Sequence, residues 1–370
     1  MKILLDVSQI AYPGTGSARY TLGLVRALLE AHTPHAFHLF AGAFRSSHKL
    51  IELSKTPPYD RATWKILPIP PKLARVIFNK TNLPIETFTG VYDLFHTSDW
   101  TEPHSAMPKV TTIHDLIFRL YPETVDELVR NTQTQRLDRI VTGSTHVIVD
   151  SMNTKNDLMK IYSLPDSRID VVYPGVDRSF TRPSNQEIDR VKNKYHLTSP
   201  YLLCLGTQEP RKNLGLAISA FNLVKKRPEF SSLSLVIAGK YGWGEQVKVG
   251  EVGFKTLGFV VEADLPGLYA GAEVFVFPSL YEGFGFPVLE AMACGTPVVA
   301  INVASQSEIV GQAGVLVDKT PSALEEGIVI ALQSPAKYRA LGLAQAQKFT
   351  WDNCAKETIK VYERIVSKKT

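Results

Sequence analysis

The sequence has few cysteines and no long apolar segment, and these two absences exclude several classes of protein. Its three cysteines (Cys204, Cys294 and Cys354) are widely separated, so they form neither a disulfide framework nor a metal-binding motif and indicate a reducing compartment. No stretch approaches the ~20 apolar residues of a transmembrane helix. The opening MKILLDVSQI has too short an apolar run for a signal peptide and lacks a small-residue cleavage site. We therefore expect a cytoplasmic protein, with contact at a membrane surface left open.

Several motifs of catalysis and cofactor binding are also missing. There is no P-loop, GxSxG, CxxC or HExxH pattern. No Asp-x-Asp pair is present, so we expect no metal ion in the binding of a nucleotide diphosphate. The net charge of +5 is modest and falls about evenly on the two halves, which argues against a nucleic-acid partner.

What is present is a repeated alternation of short apolar runs with helical patterns. At 370 residues the chain is too long for one ordinary core. Many apolar runs show no polar alternation, which is typical of parallel strands buried on both faces. The predicted strands are Ile3–Val7, Phe37–Ala41, Val110–Ile113, His146–Asp150, Ile169–Val172, Tyr201–Leu205, Leu233–Ala238, Val274–Phe277, Val298–Ala300 and Val315–Val317. The predicted helices include Ala18–Glu30, Glu187–Tyr195, Leu214–Lys226, Pro287–Ala293, Ala323–Leu332 and Trp351–Val366.

This alternation predicts an α/β protein with two Rossmann-like parallel-sheet domains. A polar, proline-bearing stretch at 178–199 follows Asp177, and a fresh apolar strand begins at Tyr201. We predict a first domain at 1–177 and a second at 178–349. The last segment, 350–370, is predicted to be an amphipathic helix that packs back on the first domain.

The most informative segment runs from Leu280 to Val298. Glu282 and Glu290 stand eight residues apart and flank a glycine loop that lies between a predicted strand and a helix. Backbone N–H groups and the positive end of a helix bind phosphate, whereas carboxylates bind sugar hydroxyls. With Pro287 at the first helical position and Glu290 in the first turn, the segment is suited to a nucleotide-sugar. The alternative is a purely structural loop in which Glu290 complements the helix dipole.

A second candidate is the stretch Glu209–Asn213, which follows the predicted strand Tyr201–Leu205. Ligands of open α/β sheets bind outside the carboxyl ends of the strands. Arg211 and Lys212 can neutralise a pyrophosphate there, the first as a fork of donors and the second as a point charge. The alternative is a solvated basic turn.

Every histidine lies at or before His196, so a catalytic imidazole must come from the first domain or its boundary. His114 follows the predicted strand Val110–Ile113 and can reach a sugar hydroxyl through its ring or its carbonyl. A structural role is the alternative for His114, and His96 competes for the same function.

The glycines Gly14 and Gly16 lie between the first predicted strand and helix. They resemble a degraded dinucleotide fingerprint, but Arg19 stands at the third glycine position. The second strand also ends without the acidic residue that binds an NAD ribose. NAD is therefore not expected, and these glycines either admit a ligand close to the backbone or only form the turn.

Together these motifs resemble the retaining glycosyltransferases of family four, also called glycosyl transferases group 1, which have the GT-B fold. Glu282 and Glu290 match that family's E-x7-E motif. The matching segments are Gly14–Tyr20, Thr112–Asp115, Val171–Asp177, Gly206–Asn213, Gly258–Val260 and Leu268–Gly285. The resemblance implies two Rossmann-like domains that face each other across a cleft.

The resemblance also implies roles for individual residues. The donor diphosphate would be held by Arg211, Lys212 and the amides of Phe284, Gly285 and Phe286, with Gly14 and Gly16 lining the phosphate side. Glu290 would bind the ribose, and the backbone near Val260 would lie at the nucleobase. Glu282 and His114 would contact the transferred sugar.

Family chemistry implies retention of the anomeric configuration, with the leaving diphosphate taking the acceptor proton. No cofactor is implied beyond the nucleotide-diphospho-sugar donor. Similar sequences that carry Glu-Pro-Arg-Lys-Asn, as at Glu209–Asn213 here, serve polysaccharide or O-antigen assembly. We therefore favour GDP-mannose as the donor, with a UDP-sugar as the alternative. The acceptor would be a glycan or a lipid-linked sugar.

Some positions depart from the family pattern, namely Ala18, Thr207 and Gln306. A nucleotide-sugar epimerase of the same fold and a non-catalytic nucleotide-sugar-binding protein are the competing functions. A phosphorylase is disfavoured because no motif for a pyridoxal lysine is present.

Residues 65–80 mix basic and apolar side chains, including Lys72, Arg75, Ile77, Phe78 and Lys80. They form either a membrane-facing surface for a lipid acceptor or a solvated helix. The first alternative would place the protein peripherally at the inner face of the plasma membrane.

Overall fold

The computed structural model describes residues 1–12, 14–97, 99–243 and 253–368, and the chain divides into two compact units. The first unit comprises Met1–Gly175 together with the C-terminal segment that begins at Thr350. The second unit is Val176–Phe349. The chain therefore passes from the first unit to the second two residues before the predicted boundary, and its last helix returns to the first.

The strands of both units are parallel to their neighbours. In chain order they are β1 (Lys2–Asp6), β2 (Ala36–Gly42), β3 (Thr63–Leu67), β4 (Leu94–Thr97), β5 (Lys109–Ile113), β6 (His146–Val149), β7 (Ile169–Val171), β8 (Tyr201–Leu205), β9 (Ser234–Ala238), β10 (Phe254–Gly258), β11 (Val274–Phe277), β12 (Val298–Ile301) and β13 (Val315–Val317). The order is β3-β2-β1-β4-β5-β6-β7 in the first unit and β10-β9-β8-β11-β12-β13 in the second.

Helices connect these strands and cover the sheets. They are α1 (Gly16–Glu30), α2 (Ser47–Leu53), α3 (Pro71–Lys80), α4 (Glu86–Thr89), α5 (Ile117–Leu120), α6 (Glu127–Thr142), α7 (Met152–Tyr162), α8 (Asn185–Lys194), α9 (Leu214–Val224), α10 (Leu265–Ala270), α11 (Phe286–Ala293), α12 (Gln306–Val310), α13 (Pro321–Gln333), α14 (Pro335–Ala346) and α15 (Trp351–Ser367). Within the described residues, no helix combines the length and apolarity needed to span a membrane.

The apolar runs form the central strands because both of their faces are covered. In β11 and β12 every residue is buried, and Leu203 of β8 pairs with Val236 on one side and Phe275 on the other. All ten predicted strands are confirmed to within a few residues. The sequence patterns missed β3 and β10, which are edge strands with no fully buried residue, and the four-residue β4.

The last helix belongs to the first unit because its side chains are fitted to that unit's surface. The Trp351 ring fills the space beside Gly23 in α1, where an added Cβ would lie 2.2 Å from the ring. The Tyr362 hydroxyl lies 2.6 Å from Nδ1 of His96 at the end of β4. These contacts place α15 against both a helix and the sheet.

In each sheet the strand order reverses at one point, between β1 and β4 and between β8 and β11. Loops that leave two such strands diverge, so a crevice opens at the carboxyl ends of the strands. Gly14 and Gly16 follow β1, and the two candidate segments of the second unit follow β8 and β11. The strand order therefore positions these segments where ligands bind in open α/β sheets.

Candidate functional site

In the second unit, the loops after β8 and β11 are tied together by hydrogen bonds. The Leu280 N–H donates to the carbonyl oxygen of Arg211 at 2.9 Å, and the Asn213 side chain donates to the Pro278 carbonyl at 3.2 Å. Asn213 adopts a left-handed conformation and starts α9. The sequence places the basic pair and Glu282 seventy residues apart, and the neighbouring strands bring them into contact.

Glu282 bridges the two cations. Its Oε2 lies 2.6 Å from Nη1 of Arg211, and its Oε1 lies 2.6 Å from Nζ of Lys212. Arg211 is also held by Glu209, whose Oε1 accepts from Nε at 3.0 Å and from Nη2 at 2.6 Å, and by the carbonyl of Tyr281. The expectation of a solvated basic turn is therefore wrong, because these side chains are largely enclosed.

The cluster is strongly coupled electrostatically. Burial alone would raise the pKa of Glu282, but the charges of Arg211 and Lys212 outweigh burial and lower that pKa to about 2. Burial lowers the pKa of Lys212, and Glu282 opposes this effect. Glu282 is therefore ionised at neutral pH, and its two oxygens hold the two basic side chains in place for an anion.

The glycine loop caps the next helix with backbone rather than with a side chain. Gly285 has φ +106°, a conformation that L-residues rarely adopt, and α11 begins at Phe286. Pro287 is thus the second helical residue, not the first as predicted. Among the described residues, the N–H groups of Phe284 and Gly285 donate to no protein acceptor. The loop therefore presents backbone donors at the positive end of a helix.

Glu290 lies farther along α11 than the sequence suggested. It is the fifth residue of the helix, so the prediction of a first-turn position is wrong, and so is the helix-dipole explanation. Its side chain is buried, and its Oε2 accepts a hydrogen bond from the Tyr269 hydroxyl at 2.8 Å. Tyr269 is fully buried in α10 and fixes one carboxylate oxygen of Glu290.

The glycine loop is held by Ser305, which the sequence analysis did not name, and by Gln306, which it named only as a departure from the family pattern. The Ser305 hydroxyl lies 2.8 Å from the carbonyl oxygens of both Glu282 and Phe284. Gln306, a departure from the family pattern, is buried and donates to the carbonyl of Ser279 at 3.1 Å. The one sequence signal for the Ser305 contacts was its place next to Gln306, the position that departs from the family pattern.

Val260 follows β10, and its side chain is buried in the core of the second unit. The side chain is therefore unavailable to a ligand, and the role predicted for Val260 concerns its backbone alone. The adjacent Phe259 is exposed, and Nζ of Lys240 lies 4.9 Å from its ring centroid.

In the first unit, Gly14 and Gly16 flank the start of α1. Thr15 caps this helix by accepting a hydrogen bond from the Ala18 N–H, and Gly16 is the first helical residue. A Cβ added at either glycine would meet nothing within 4 Å. Local space therefore does not demand glycine at either position, and only Gly14, at φ +87°, has a backbone that favours it.

His114 follows β5 and pairs with a buried carboxylate. Its Nδ1 lies 2.6 Å from Oδ2 of Asp150, which follows the adjacent strand β6, and its ring meets the edge of Tyr20. Burial alone would lower the pKa of His114, but Asp150 raises that pKa to about 9. The ring is thus an imidazolium at neutral pH. Asp150 was not singled out by the sequence.

His96 is a structural histidine, so its candidacy for a catalytic role is not supported. It is buried, with Nδ1 at the Tyr362 hydroxyl and Nε2 at 2.9 Å from the Thr112 hydroxyl. Burial, with help from Arg136 and His114, lowers its pKa to about 3. A neutral ring with both nitrogens bonded to hydroxyls holds β4, β5 and α15 together.

Across the residues that the structure describes, no three His, Cys, Asp or Glu side chains are grouped to bind a metal ion. The polar groups gathered at the glycine loop and the β8 loop are instead Arg211 and Lys212, the carboxylates of Glu209 and Glu282 that hold them, and backbone donors.

Comparison with known proteins supports a common ancestry over the whole chain. Residues 14–180 match the model of Glycosyltransferase Family 4, and residues 199–334 match that of Glycosyl transferases group 1. O-antigen chain mannosyltransferase B of Escherichia coli is 32% identical over 99% of this chain and 100% of its own length. A D-inositol 3-phosphate glycosyltransferase of Paenarthrobacter aurescens is 26% identical over 81% of this chain and 79% of its own length.

Solved structures share the architecture at lower identity. Sucrose-phosphate synthase of Thermosynechococcus elongatus superposes with a TM-score of 0.73 at 20% identity, covering 99% of each chain. Anabaena HepE, in complex with UDP and glucose, gives a TM-score of 0.69 at 20% identity over 98% of this chain and 100% of its own. These neighbours and the two parallel sheets confirm the predicted GT-B fold class. The chain belongs to glycosyltransferase family four, the glycosyl transferases group 1.

Proposed function

We propose that this chain is a retaining, metal-independent hexosyltransferase. It moves a mannosyl-type sugar from a nucleotide-diphospho-sugar to a glycan or lipid-linked acceptor in polysaccharide assembly. The observation that carries the proposal is the enclosed pair Arg211 and Lys212, held by Glu282 beside the Gly285-capped helix. Such a cluster is built to meet an anion with charge and backbone donors together.

In this proposal the second unit stabilises the leaving diphosphate. Arg211 and Lys212 supply positive charge, and the amides of Phe284, Gly285 and Phe286 supply hydrogen bonds. Preorganised donors of this kind act on charge that develops in the transition state, when the sugar–phosphate bond breaks. The departing diphosphate then accepts the acceptor's proton on the same face of the sugar. No metal ion is needed, because the two side-chain cations perform the electrostatic task.

Two carboxylates, those of Glu290 and Glu282, bind sugar hydroxyls in the remaining parts of the donor. Glu290, with one oxygen fixed by Tyr269, binds the ribose hydroxyls. Glu282 binds hydroxyls of the transferred sugar, and the backbone near Val260 meets the nucleobase. Carboxylates accept two hydrogen bonds from neighbouring hydroxyls, which suits a ribose diol and a hexose alike.

The first unit supplies His114, Gly14 and Gly16. Because Nδ1 of His114 is committed to Asp150, Nε2 is the nitrogen that donates to a hydroxyl of the transferred sugar. The two glycines admit the donor phosphates close to the start of α1. A Cβ added at either glycine would lie more than 4 Å from the described atoms beyond its chain neighbours, which supports this role.

The mannosyl preference rests on the O-antigen chain mannosyltransferase relative. GDP as the nucleotide follows from the resemblance noted in the sequence, and a UDP-sugar, suggested by the HepE complex, is the alternative. We also propose a cytoplasmic location, which the three free, buried and widely separated cysteines support. Peripheral contact with the inner face of the plasma membrane is proposed through α3. In that helix Leu73 and Val76 are 49% and 48% exposed beside the exposed Lys72 and Lys80.

A thermal-shift panel followed by a transfer assay tests the function. GDP-mannose, UDP-glucose and ADP-glucose are each titrated, and the true donor raises the melting temperature by mass action. The stabilising sugar is then incubated with a lipid-linked or glycan acceptor, and the product anomer is read by NMR. An α product from an α donor supports the proposal. Binding without transfer or donor hydrolysis would identify a binding protein, and interconversion of free nucleotide-sugars would identify an epimerase.

A further inference from the structure

The cationic pair of the second unit is already neutralised by the protein itself. Arg211 and Lys212 carry two positive charges, and Glu209 and Glu282 carry two negative charges within direct contact. The Glu209 carboxylate is paired with Arg211, whereas the Glu282 carboxylate spans both cations with one oxygen on each. Glu282 thus occupies the position between the cations that a bridging diphosphate would take.

An incoming diphosphate must therefore share the cations with Glu282 or displace it. Like charges near one another in a partly buried cluster repel strongly, since the effective dielectric constant there is well below that of water. The low pKa of Glu282 keeps this carboxylate ionised at neutral pH before the ligand arrives, so an incoming diphosphate meets a full negative charge. The conflict is relieved only if the ligand gives Glu282 new hydrogen-bond donors.

We propose that Glu282 is an internal competitor anion that discriminates the sugar donor from the free nucleoside diphosphate. This inference rests on the proposed binding of the donor diphosphate by Arg211 and Lys212. The donor brings hexose hydroxyls that replace the hydrogen bonds Glu282 gives up. The free nucleoside diphosphate brings none, and its terminal phosphate carries a further charge above pH about 6, as phosphate monoesters do. Glu282 therefore favours binding of the substrate and release of the product.

The decisive variant is Glu282→Gln, which keeps the shape but removes the competing charge. Wild type and variant are titrated calorimetrically at pH 7.5 with inorganic pyrophosphate, GDP and UDP. We expect the variant to bind pyrophosphate and its cognate nucleoside diphosphate about tenfold tighter or more, because Lys212 loses its carboxylate partner while Arg211 keeps Glu209, and the ligand restores the lost negative charge. Sugar transfer by the variant falls. A gain in affinity beside a loss of turnover is a result that mere structural damage does not produce.

Two further variants keep the test decisive. Glu282→Asp retains the charge but is too short to span both cations, so its affinity for pyrophosphate is expected to lie between those of wild type and Glu282→Gln. If Glu282→Gln does not fold, this aspartate variant decides the question. Glu229→Gln removes one exposed carboxylate elsewhere in the same unit and controls for net charge. Its affinities are expected to match those of wild type.

Equal or weaker binding of pyrophosphate and nucleoside diphosphate by both Glu282 variants overturns the inference. That result differs from failure of the proposed function. If the proposed function itself fails, the wild-type protein binds neither GDP nor UDP, and the Lys212→Met variant binds pyrophosphate with the same affinity as wild type.

Discussion

Oδ2 of Asp150 lies 2.6 Å from Nδ1 of His114, and this contact sets the charge of the imidazole. The two residues end neighbouring parallel strands, β5 and β6, so the register of the sheet places them side by side. Asp99 and Asp115 add smaller attractions, and Asp150 itself is buried. The ring therefore remains protonated well above the ordinary pKa of histidine.

Replacing Asp150 with Asn should change how stability depends on pH. Because the pKa of His114 is raised to about 9, its stabilising contribution is complete below pH 6.5 and is lost as pH rises through about 9. A hydrogen bond to a charged group contributes about 1.5–3 kcal/mol, so Asp150→Asn should lose roughly that amount at pH 6 and much less at pH 9.5. Urea unfolding at both pH values measures the difference. Asp166→Asn, which removes an exposed carboxylate of the same unit, is the control. An equal loss at both pH values would contradict the assignment.

Removing either cation of the second unit should abolish most turnover. One preorganised donor is worth about 10²–10³ in kcat in comparable sites, so Arg211→Ala and Lys212→Met should each lose about that factor. Arg211→Lys tests geometry, because it keeps the charge but lacks the fork that reaches both Glu209 and Glu282. Each single variant should still fold, since Glu282 retains the other cation. Steady-state kinetics measure the loss of turnover, and thermal melts show whether each variant folds. Lys226→Met, at an exposed position, is the control. Normal turnover in both Arg211→Ala and Lys212→Met would show that these two cations take no part in the mechanism.

Substituting the two glycines near α1 should separate a ligand-facing role from a turn-forming role. Gly16→Ala introduces a better helix former into open space, so stability should stay level or rise by up to about 1 kcal/mol. Turnover should nevertheless fall about tenfold or more, because the new methyl group displaces the donor. Gly14→Ala is the matched comparison, since its φ of +87° should cost roughly 1–2 kcal/mol of stability. If Gly16→Ala retains full turnover, the glycine only forms the turn.

The exposed face of α3 should bind anionic vesicles in a salt-dependent way. Leu73 and Val76 supply apolar contact, and Lys72 and Lys80 attract acidic headgroups, each worth about 1 kcal/mol near the surface. Co-sedimentation with phosphatidylglycerol vesicles at low and high salt measures binding. The double variant Leu73→Ser/Val76→Ser should reduce it strongly. Val91→Ser, at an exposed apolar position outside α3, should leave it unchanged. Absence of sedimentation at either salt concentration would end the membrane proposal.

Local patterns predicted the central strands well because these segments are apolar on both faces. The sequence patterns did not predict the edge strands β3 and β10, because their exposed or half-buried positions, such as Lys65 and Lys255, carry polar side chains. The position of Glu290 was misjudged for a different reason. Gly285 caps the helix one residue earlier than the proline suggested, and helix starts depend on backbone conformation that sequence signals only approximate.

The candidate site was predictable where its chemistry is local and not where it comes from distant segments. Arg211, Lys212, Glu282 and Glu290 stand in recognisable motifs. Ser305 does not, because it lies on a separate loop and acts through a single hydroxyl group. Tyr269 stands within the matching segment Leu268–Gly285, but nothing in that segment marks its hydrogen bond to Glu290. A lone tyrosine or serine carries no spacing signal that marks such a contact.

By itself, the sequence determined the α/β class, the family and the residue types that can meet a diphosphate and a sugar. Periodicity and motif spacing act over a few residues, so they report strands, helices and loops. The tertiary structure alone decided that Glu282 holds Arg211 and Lys212, and that Asp150 keeps His114 protonated. Those relationships depend on which strands are neighbours and on how deeply each charge is buried. Strand neighbours and the burial of charges are both established only when segments far apart in the chain are brought together.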